Sequence, residues 1–372
     1  MALPVWLLVL LIAPTIAVPL LYVVITWEHE VVGRYPVLPA PTDLGTKEFR
    51  WRCYLSSLTR RGWRNRIARL PCPRVTLQCP FALLSTDFAK LTTSLGFQEL
   101  RLETIPFIFP QIATSGLMLQ LLGNSHFPAA LNGLRLKSIK ICQLRPLDMR
   151  FRDKVVDKNE YKDNDSSAED DNASSIHCVM VLTEKRFVRD EVEFAIQTDL
   201  FDDQGTVWQS TTCIAVPFVQ STLAVPRTTT MAELDADLAT RNYSDVERHE
   251  FSCSERNLSE FEAVNVTNLD GTASRADAAP LLWMLGRLTA VLQQQQRVPA
   301  LPLLCGFVLH DEQVIGLHRR VTCESSVSEG GNGKDIIKAV VTHDGSAVIE
   351  GQLRTVGWVF EPGSNPAEPQ SE

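Results

Sequence analysis

Two apolar segments of helical length, one in each half of the chain, stand out in its hydrophobic pattern. The first runs from Pro110 to Asn124 and the second from Ala278 to Gln296. Each has a proline at or near its start, where the missing N–H does not weaken a helix. Both segments are apolar on almost every side, which predicts helices buried in a core rather than amphipathic helices at a surface.

Extended segments follow each predicted helix. They are 134–147 and 193–216 in the first half and 303–321 and 335–360 in the second. Each half ends on a hairpin, and the turns Asp203 to Gly205 and Asp344-Gly345 supply residues that accept a positive φ. Each half therefore has a buried helix followed by about four strands, an order that a helix wrapped by a curved antiparallel sheet satisfies. The sequence predicts an α+β protein with two similar units.

The N-terminal residues predict a membrane anchor. No charged side chain occurs between Ala2 and Trp27, and the run is long enough to cross a hydrocarbon core of about 30 Å as a helix. A cleaved signal peptide is the alternative, although no basic segment precedes the run and its length exceeds the roughly 7–15 residues of a typical signal-peptide core. We therefore expect residues 1–27 to form one transmembrane helix, with the endoplasmic reticulum as the candidate membrane.

A basic linker, residues 28–70, follows the predicted anchor. Its arginines and lysines have no counterpart before the apolar run, and the positive-inside rule then places the body of the protein in the cytosol. Five N-x-S/T sequons favour a lumenal body instead; they are Asn164, Asn172, Asn242, Asn257 and Asn265. We expect a cytosolic body and an anchor in contact with membrane lipid. The linker either touches anionic head groups or leads as a solvated helix into the first domain.

Polar segments divide the rest of the chain. Residues 153–175 are dense in acidic and small polar side chains, which predicts a disordered insertion. Residues 220–250 are predicted to form a linker, and residues 361–372, rich in Pro, Ser and Glu, a disordered tail. The two folded domains are then residues 71–219 and residues 251–360.

Charge and cysteine spacing exclude several classes of function. The formal net charge is −8, so a general nucleic-acid partner is not expected. The nine cysteines are irregularly spaced without a CxxC pair, which argues against a zinc site, and their odd number argues against a complete disulfide framework. Free thiols are typical of a reducing compartment. No phosphate-, dinucleotide- or metal-binding motif occurs in a supporting context, so the sequence predicts neither a cofactor nor a metal.

Three dipeptides occur in the residues that follow the first predicted helix. They are Phe127-Pro128, Gly133-Leu134 and Arg145-Pro146. With the proline-led apolar helix before them, they resemble the N-terminal half of the double hot-dog MaoC-like acyl dehydratases and (R)-specific enoyl-thioester hydratases. Residues 251–360 are similar to the C-terminal half of that family. The resemblance covers residues 71–360 and implies a tandem hot-dog fold, in which each unit is a long central helix wrapped by a curved antiparallel sheet.

Members of that family hydrate trans-2-enoyl thioesters or dehydrate (R)-3-hydroxyacyl thioesters. The resemblance therefore implies acyl-CoA or another acyl thioester as the partner of this chain. The family's chemistry depends on an Asp and a His from a loop motif, D-x-N-P-x-H, in the second half, where they exchange protons with one water and the substrate. A backbone N–H at the start of the central helix stabilises the enolate oxygen.

The matching residues of this chain, 264–283, depart from that motif. They include Asn268, Asp270 and Pro280 but no histidine, so they lack an imidazole with a pKa near neutrality. Asp270 is the candidate catalytic acid; alternatively, Asp270 and Gly271 form only a turn. The sequence thus predicts a divergent relative without the catalytic Asp/His pair.

Two functions stay open on this basis. One is an acyl-thioester-binding protein related to the dehydratases, either catalytically degenerate or active as a hydro-lyase or thioesterase. The other is a non-catalytic scaffold or binding module on the same fold. A closed apolar tunnel that ends near Asp270 favours acyl binding, whereas a groove filled by Leu281, Trp283 and Met284 favours the scaffold.

Overall fold

The computed structural model describes residues 30–39, 72–82, 85–97, 105–124, 126–129, 133–147, 176–188, 190–217, 244–262, 279–310, 315–330 and 334–356. Several predictions fall outside the described residues: the anchor 1–27, most of the linker 28–70, the insertion 153–175, the tail 361–372 and Asp270.

The N-terminal unit has two strands, three helices and then four strands. Its elements are β1 (Glu30–Arg34), β2 (Arg74–Pro80), α1 (Ser85–Leu95), α2 (Phe109–Ala113), α3 (Ser115–Gly123), β3 (Arg135–Gln143), β4 (His177–Val188), β5 (Glu191–Asp202) and β6 (Gly205–Pro217). The C-terminal unit has a similar order, with one strand, two helices and then four strands. Its elements are β7 (Ser244–Ser252), α4 (Glu255–Glu262), α5 (Leu281–Gln294), β8 (Leu303–Leu309), β9 (Arg320–Gly330), β10 (Lys334–His343) and β11 (Ser346–Thr355).

The order of the strands shows that the two units are duplicates. All described strands form one sheet in the order β1-β2-β4-β5-β6-β3-β8-β11-β10-β9-β7. Strands β2, β4, β5, β6 and β3 of the first unit thus correspond to β7, β9, β10, β11 and β8 of the second. The units meet where β3 pairs antiparallel with β8, from Ser138 opposite Val308 to Gln143 opposite Leu303. Two helix-and-sheet units in tandem were predicted from the sequence, and the structure has them.

Both apolar segments form helices that are buried on nearly every side. Helix α2 is buried throughout, and α5 is buried from Leu282 to Leu292 apart from Arg287. Pro110 lies in the first turn of α2, as its fixed φ favours. The hydroxyl and the amide of Thr114 both donate to the carbonyl of Pro110, at 2.8 and 3.0 Å. Thr114 stands between α2 and α3, and the helical bonding continues across it, since the Met118 N–H donates to the Thr114 carbonyl at 3.0 Å.

Side chains of the C-terminal unit cap the end of α1. Gly96, at φ +71°, ends this helix in a Schellman motif, in which the Phe97 N–H donates to the Thr92 carbonyl at 2.9 Å. The last carbonyls of a helix have no partner within it, and here they accept hydrogen bonds from α4 and α5. The pairs are Ser94 O with Trp283 Nε1 (3.1 Å) and Asn257 Nδ2 (3.0 Å), Leu95 O with Arg287 Nη1 (2.8 Å), and Gly96 O with Gln294 Nε2 (2.9 Å). This cap joins the helical layers of the two units.

The Arg-Pro pair at the end of β3 holds a hairpin turn. The Arg145 guanidinium donates to Asp202 Oδ1 at 2.7 Å, to Gln204 Oε1 at 2.9 Å and to the Gly205 carbonyl at 3.0 Å. These three acceptors form the turn between β5 and β6. The guanidinium therefore fixes where the longest hairpin of the N-terminal unit ends.

Strand β7 at the edge of the sheet begins inside the predicted linker 220–250. Its side chains are mostly exposed up to Phe251, so it lacks the alternation that would have predicted a strand. Buried Arg297, 7% exposed, holds it in place. The guanidinium donates to the carbonyl of Asp245 in β7 and to the carbonyl of Ser325 in β9, each at 2.8 Å.

The prediction of a single-pass membrane protein, with its endoplasmic-reticulum location and cytosolic body, is corrected by the structure. In the part of the chain that it describes, no helix has both the length and the apolar character needed to cross a bilayer. The longest of these helices, α5, has 14 residues, whereas a span needs about 20. Nothing among the described residues supports the predicted contact with membrane lipid.

Replacing Gly96 with alanine should destabilise the protein more than the same change at Gly345. Both glycines have a positive φ, which costs an alanine about 1–2 kcal/mol. A Cβ at position 96 would also lie 1.6 Å from Arg287 Nη1, whereas nothing lies within 4 Å at position 345. The guanidinium must then leave the Leu95 carbonyl, which adds roughly 1.5–3 kcal/mol for a hydrogen bond to a charged group. Urea unfolding of both variants measures the difference, and equal losses would contradict the cap.

Candidate functional site

The start of α5 is the described part of the site that the resemblance predicts. Asn268 and Asp270 lie outside the described residues, so a role for Asp270 stays a prediction. Pro280 is the N-cap of α5 and makes no side-chain cap bond. Its carbonyl accepts the first helical hydrogen bond, from the Met284 N–H at 3.0 Å. The preceding Ala279 N–H donates to the Ile315 carbonyl at 2.8 Å, which fixes the entry to the helix.

Two large side chains fill the space beside the first turns of α5. Trp283 and Met284 are each 1% exposed. The indole ring of Trp283 packs edge-on against Phe251, with centroids 5.9 Å apart, and its N–H donates to the Ser94 carbonyl. Leu281 is half-buried. This filling is what the scaffold hypothesis expects of the C-terminal unit.

Arg287 is the one half-buried cation in α5. Its guanidinium donates to the Leu95 carbonyl at 2.8 Å and lies 5.8 Å from the centroid of the Phe251 ring. Desolvation lowers the pKa of this arginine, although an arginine stays charged in proteins. Among the described residues its partners are the end of α1 and an aromatic face, so its role is to cap α1.

Buried polar side chains in the C-terminal unit are all paired. Among the described residues of this unit, no buried side-chain nitrogen or oxygen lacks a hydrogen-bond partner. Thr289, which is fully buried in α5, donates to the Leu285 carbonyl at 3.0 Å. Ser325 accepts from Arg297 and donates to Gln295 Oε1 at 2.9 Å. The buried polar atoms in the described part of this unit are therefore satisfied within the protein.

The N-terminal unit differs, because its helix–sheet layer contains a buried polar cluster. We use this name for Gln111, Ser115, Thr198, Ser210 and Thr212, which are between 0% and 7% exposed. Gln111 Nε2 donates to Thr212 Oγ1 at 3.1 Å, a bond that spans helix α2 and strand β6. The other polar atoms of the cluster, Gln111 Oε1 and the hydroxyl oxygens of Ser115, Thr198 and Ser210, have no hydrogen-bond partner among the described residues.

Strand register and helix periodicity bring the members of the cluster together. Thr198 of β5 lies directly opposite Ser210 of β6. Thr212 follows Ser210 by two residues and so points to the same face of the sheet. Ser115 follows Gln111 by four residues, which places it about one helical turn further along the same side. The cluster is thus one patch between the central helix and the sheet.

Unpaired polar atoms in this position are costly. A buried hydroxyl or amide oxygen without a partner destabilises a folded protein by about 1–3 kcal/mol, and native structures contain few of them. The residues opposite the cluster on β3, Ile139 and Ile141, are fully buried and apolar. The described residues therefore leave these four atoms without a hydrogen-bond partner in an otherwise apolar layer.

A bulge in each unit identifies the equivalent positions of the C-terminal unit. The register shifts after Leu200 in β5 and after Val341 in β10. Two residues before each bulge stand Thr198 in the first unit and Ala339 in the second. Both side chains are fully buried, but only the first is polar.

The partner strands show the same contrast. Ser210 lies opposite Thr198, and Gly351 lies opposite Ala339. A Cβ at position 351 would lie 2.4 Å from Phe307 Cδ1, so the phenyl ring occupies the space there. The fold is therefore compatible with apolar residues at these positions, and the cluster is a property of the N-terminal unit.

The nearest carboxylate on β5 lies on the other face of the sheet. Asp199 follows Thr198 directly and therefore points the opposite way. Its Oδ2 accepts from Gln197 Nε2 at 2.8 Å. Burial raises the pKa of Asp199, and hydrogen bonds from Gln197 and Gln209 offset part of that rise. The buried polar cluster itself contains no ionisable group.

Cys72, Cys213 and metal ligands add no further chemistry in the described part of the chain. Burial raises the pKa of Cys72 to about 11 and of Cys213 to about 12, so neither is a thiolate near neutral pH. No group of three or more His, Cys, Asp or Glu side chains among the described residues is arranged to hold a metal ion.

The sequence analysis missed the buried polar cluster. The sequence of β6 did contain a signal for it. Ser210 and Thr212 alternate with Gln209 and Thr211, so both faces of this strand carry polar residues, although one face is buried. Gln111 is likewise a single amide in an apolar helix. Neither signal says that the helix and the strand meet, because 101 residues separate Gln111 from Thr212.

Comparison with known proteins gives a fold. No family model matches the sequence, and no curated protein matches it. A solved MaoC-like dehydratase is similar with a TM-score of 0.51 at 11% identity, covering 75% of this chain and 97% of the other. A MaoC-like dehydratase from Phytophthora capsici is similar with a TM-score of 0.50 at 13% identity, covering 78% of this chain and 98% of the other. The chain thus shares the fold of MaoC-like dehydratases, and the predicted double hot-dog fold is confirmed.

Replacing Thr198 with valine should leave the protein equally stable or stabilise it by about 1 kcal/mol, because the change removes an unpaired buried hydroxyl and keeps its shape. The matched control is Thr289→Val, which removes a buried hydroxyl that has a partner and should be neutral or cost about 0.5–1 kcal/mol. Urea unfolding of both variants measures the two changes. A loss at Thr198 as large as that at Thr289 would mean that its hydroxyl is paired.

Proposed function

We propose that this protein binds acyl thioesters, with the acyl chain between the central helix and the sheet of the N-terminal unit and the thioester towards the start of α5. The observation that carries the proposal is the double hot-dog fold that the chain shares with two solved MaoC-like dehydratases. The N-terminal unit is our choice for the acyl chain because the side chains of the C-terminal unit, Trp283 and Met284, occupy the space beside the first turns of α5.

The fold supports an acyl ligand. The two solved proteins that share it are named as dehydratases of the MaoC-like type, and the sequence motifs resemble a family that acts on acyl thioesters. Long acyl chains need an apolar enclosure with few polar groups, which is the usual composition of a small-molecule site. The layer between α2, α3 and the sheet is apolar apart from the buried polar cluster.

We further propose that the protein does not hydrate or dehydrate its ligand. Residues 264–283 lack the histidine of the D-x-N-P-x-H motif, and without it no imidazole near neutrality is available for proton transfer. If Asp270 acts as an acid, it then lacks the histidine with which the acid works in the family. Trp283 and Met284 also occupy the space beside the first turns of α5.

A non-catalytic scaffold is the second candidate. The closed C-terminal layer favours it, since Phe307 fills the space next to Gly351 and Arg297 ties the helical layer to two strands. A scaffold of this kind would have no affinity for acyl chains. The two candidates are therefore separated by binding alone.

Full-length protein should bind acyl-CoA without turning over enoyl-CoA. Isothermal titration with saturated acyl-CoAs of increasing length should give an affinity that rises with each methylene, because each buried methylene contributes up to about 0.8 kcal/mol. Free CoA is the control for binding of the head group. Absorbance at the enoyl-thioester band should stay constant with crotonyl-CoA and longer trans-2-enoyl-CoAs.

Three results would contradict this proposal. Loss of the enoyl absorbance, with an active MaoC-like dehydratase as the positive control, would contradict the degenerate site. Absence of binding at every chain length would remove the acyl ligand and leave the scaffold. An affinity that does not depend on chain length would place the binding at the CoA group instead of the N-terminal unit.

A further inference from the structure

We propose that Cys79 and Cys178 are a redox pair, two thiols that close to one disulfide by exchange with a small disulfide such as oxidised glutathione. The register of β2 with β4 places Cys79 directly opposite Cys178. Both cysteines are free thiols in the structure. The pair lies in the N-terminal unit, and its chemistry is independent of the acyl ligand.

The spacing of the two strands at this point suits a disulfide. The Phe81 N–H donates to the Ile176 carbonyl at 2.8 Å, and these two residues continue the β2–β4 register by one step. Hydrogen-bonded and non-hydrogen-bonded pairs alternate along an antiparallel ladder, so Cys79 and Cys178 are a hydrogen-bonded pair, with Cα atoms about 5.5 Å apart. Disulfides join Cα atoms about 4.4–6.8 Å apart. The two thiols already contact one another through a side-chain hydrogen bond.

The pair is protected while the strands stay closed. Cys178 is fully buried and Cys79 is 4% exposed, and helix α3 packs on both strands. The hydrogen bond with Cys79 and burial raise the pKa of the Cys178 thiol well above its ordinary value. A thiolate, the form that attacks a disulfide, is therefore scarce at Cys178 in the closed protein.

The end of β2 is where an oxidant can reach the pair. Strand β1 pairs with β2 from Arg74 to Gln78 and stops one residue before Cys79. Among the described strands, β2 thus has no outer neighbour at Cys79. The ends of edge strands open at a smaller free-energy cost than central strands, so local opening exposes Cys79 before Cys178.

The exchange then takes two steps. The Cys79 thiolate attacks one sulfur of the small disulfide and breaks its S–S bond, which forms a mixed disulfide and releases one small thiolate. The Cys178 thiolate next attacks the Cys79 sulfur, forms the new S–S bond and releases the second small thiolate. The two released thiolates take up the two protons that the cysteines lost. The pair is oxidised by two electrons, and the small disulfide is reduced by two.

The C-terminal unit contains only one half of the pair. Cys178 lies opposite Leu200, the last residue before the bulge of β5. Cys323 lies opposite Val341, the last residue before the bulge of β10, so these two cysteines occupy equivalent positions. On β7, however, the residue opposite Cys323 is His249. In the other strand pairs that the structure describes, no cysteine lies opposite a cysteine.

A closed disulfide restricts the helical layer of the N-terminal unit. The segment between the two cysteines contains α1, α2, α3 and β3. A cross-link at the two ends of a long segment reduces the freedom of the unfolded chain, and the effect grows with the length of the closed loop. The oxidised protein should therefore resist urea better than the reduced protein.

Thiol mapping on the native full-length protein tests the proposal. The protein is equilibrated with oxidised and reduced glutathione at several ratios, quenched with acid, alkylated in denaturant and mapped by mass spectrometry. The reduced chain should be alkylated at all nine cysteines, whereas the oxidised chain should be alkylated at two fewer and yield a cross-linked Cys79–Cys178 peptide. Dithiothreitol should restore both thiols, and the urea midpoint should be higher for the oxidised protein.

The matched control is Cys323→Ala, which removes the equivalent buried thiol and leaves the pair intact. This variant should keep the cross-linked peptide and the rise in urea midpoint on oxidation, and Cys178→Ala should lose both. Two separate thiols at every glutathione ratio, a mixed disulfide that never closes, or a disulfide between other cysteines would overturn the proposal. Mapping of the wild-type chain gives this answer even if a variant folds poorly.

The effect on stability is tested separately. If the disulfide forms and the urea midpoint does not rise, the redox pair stands and the restriction of the helical layer is wrong. No acyl ligand is present in these experiments, so none of their outcomes bears on the proposed function.

Discussion

Both central helices are buried on nearly every side, so each is stable only where other elements cover it. The double hot-dog arrangement meets that constraint twice. In the C-terminal unit the sheet, α1 and α4 enclose α5, and in the N-terminal unit the sheet covers α2 and α3. The two enclosures depend on one another, because β3 pairs with β8 to make one sheet and side chains of α4 and α5 satisfy the end of α1. A change at this junction therefore affects both cores.

The same constraint explains why the sequence was a good guide to the fold. Burial on all sides leaves a continuous apolar run that can be recognised without an alignment, and a proline marks the start of each run. The hairpin turns near Gly205 and Gly345 were also visible, because a positive φ restricts the choice of residue. Strand β7 was not visible, since it is an exposed edge strand held by Arg297, a residue that lies 52 positions from Asp245 in the chain.

The expectation of a membrane location was wrong, since no helix among the described residues is long and apolar enough to cross a bilayer; residues 1–27, on which it depended, lie outside the described residues. The candidate site was only partly predictable for a different reason. The resemblance directed attention to residues 264–283 of the C-terminal unit, whereas the buried polar cluster is a contact between distant segments. Its polar residues are unremarkable one by one. Only the register of β5 with β6 and the contact between Gln111 and Thr212 make them a site.

The two units share the same backbone fold but differ in the side chains between the central helix and the sheet. Ala339 and Gly351 with Phe307 make one layer a close-packed core, while Thr198 and Ser210 keep the other polar. A close-packed unit can hold the junction rigid, and the polar unit is then free to lose some stability for binding. The proposed function uses this division, because it assigns the acyl chain to the first half, away from the loop that serves catalysis in the family the chain resembles.

Hydrogen exchange measured by mass spectrometry on the full-length, lipid-free protein, with and without hexadecanoyl-CoA, tests this division most directly. Exchange should slow in peptides from α2, α3, β5 and β6, where the chain would be buried, and should stay unchanged in β10 and β11. Protection concentrated in β10 and β11, or absent from the whole protein, would contradict the assignment of the acyl chain to the N-terminal unit.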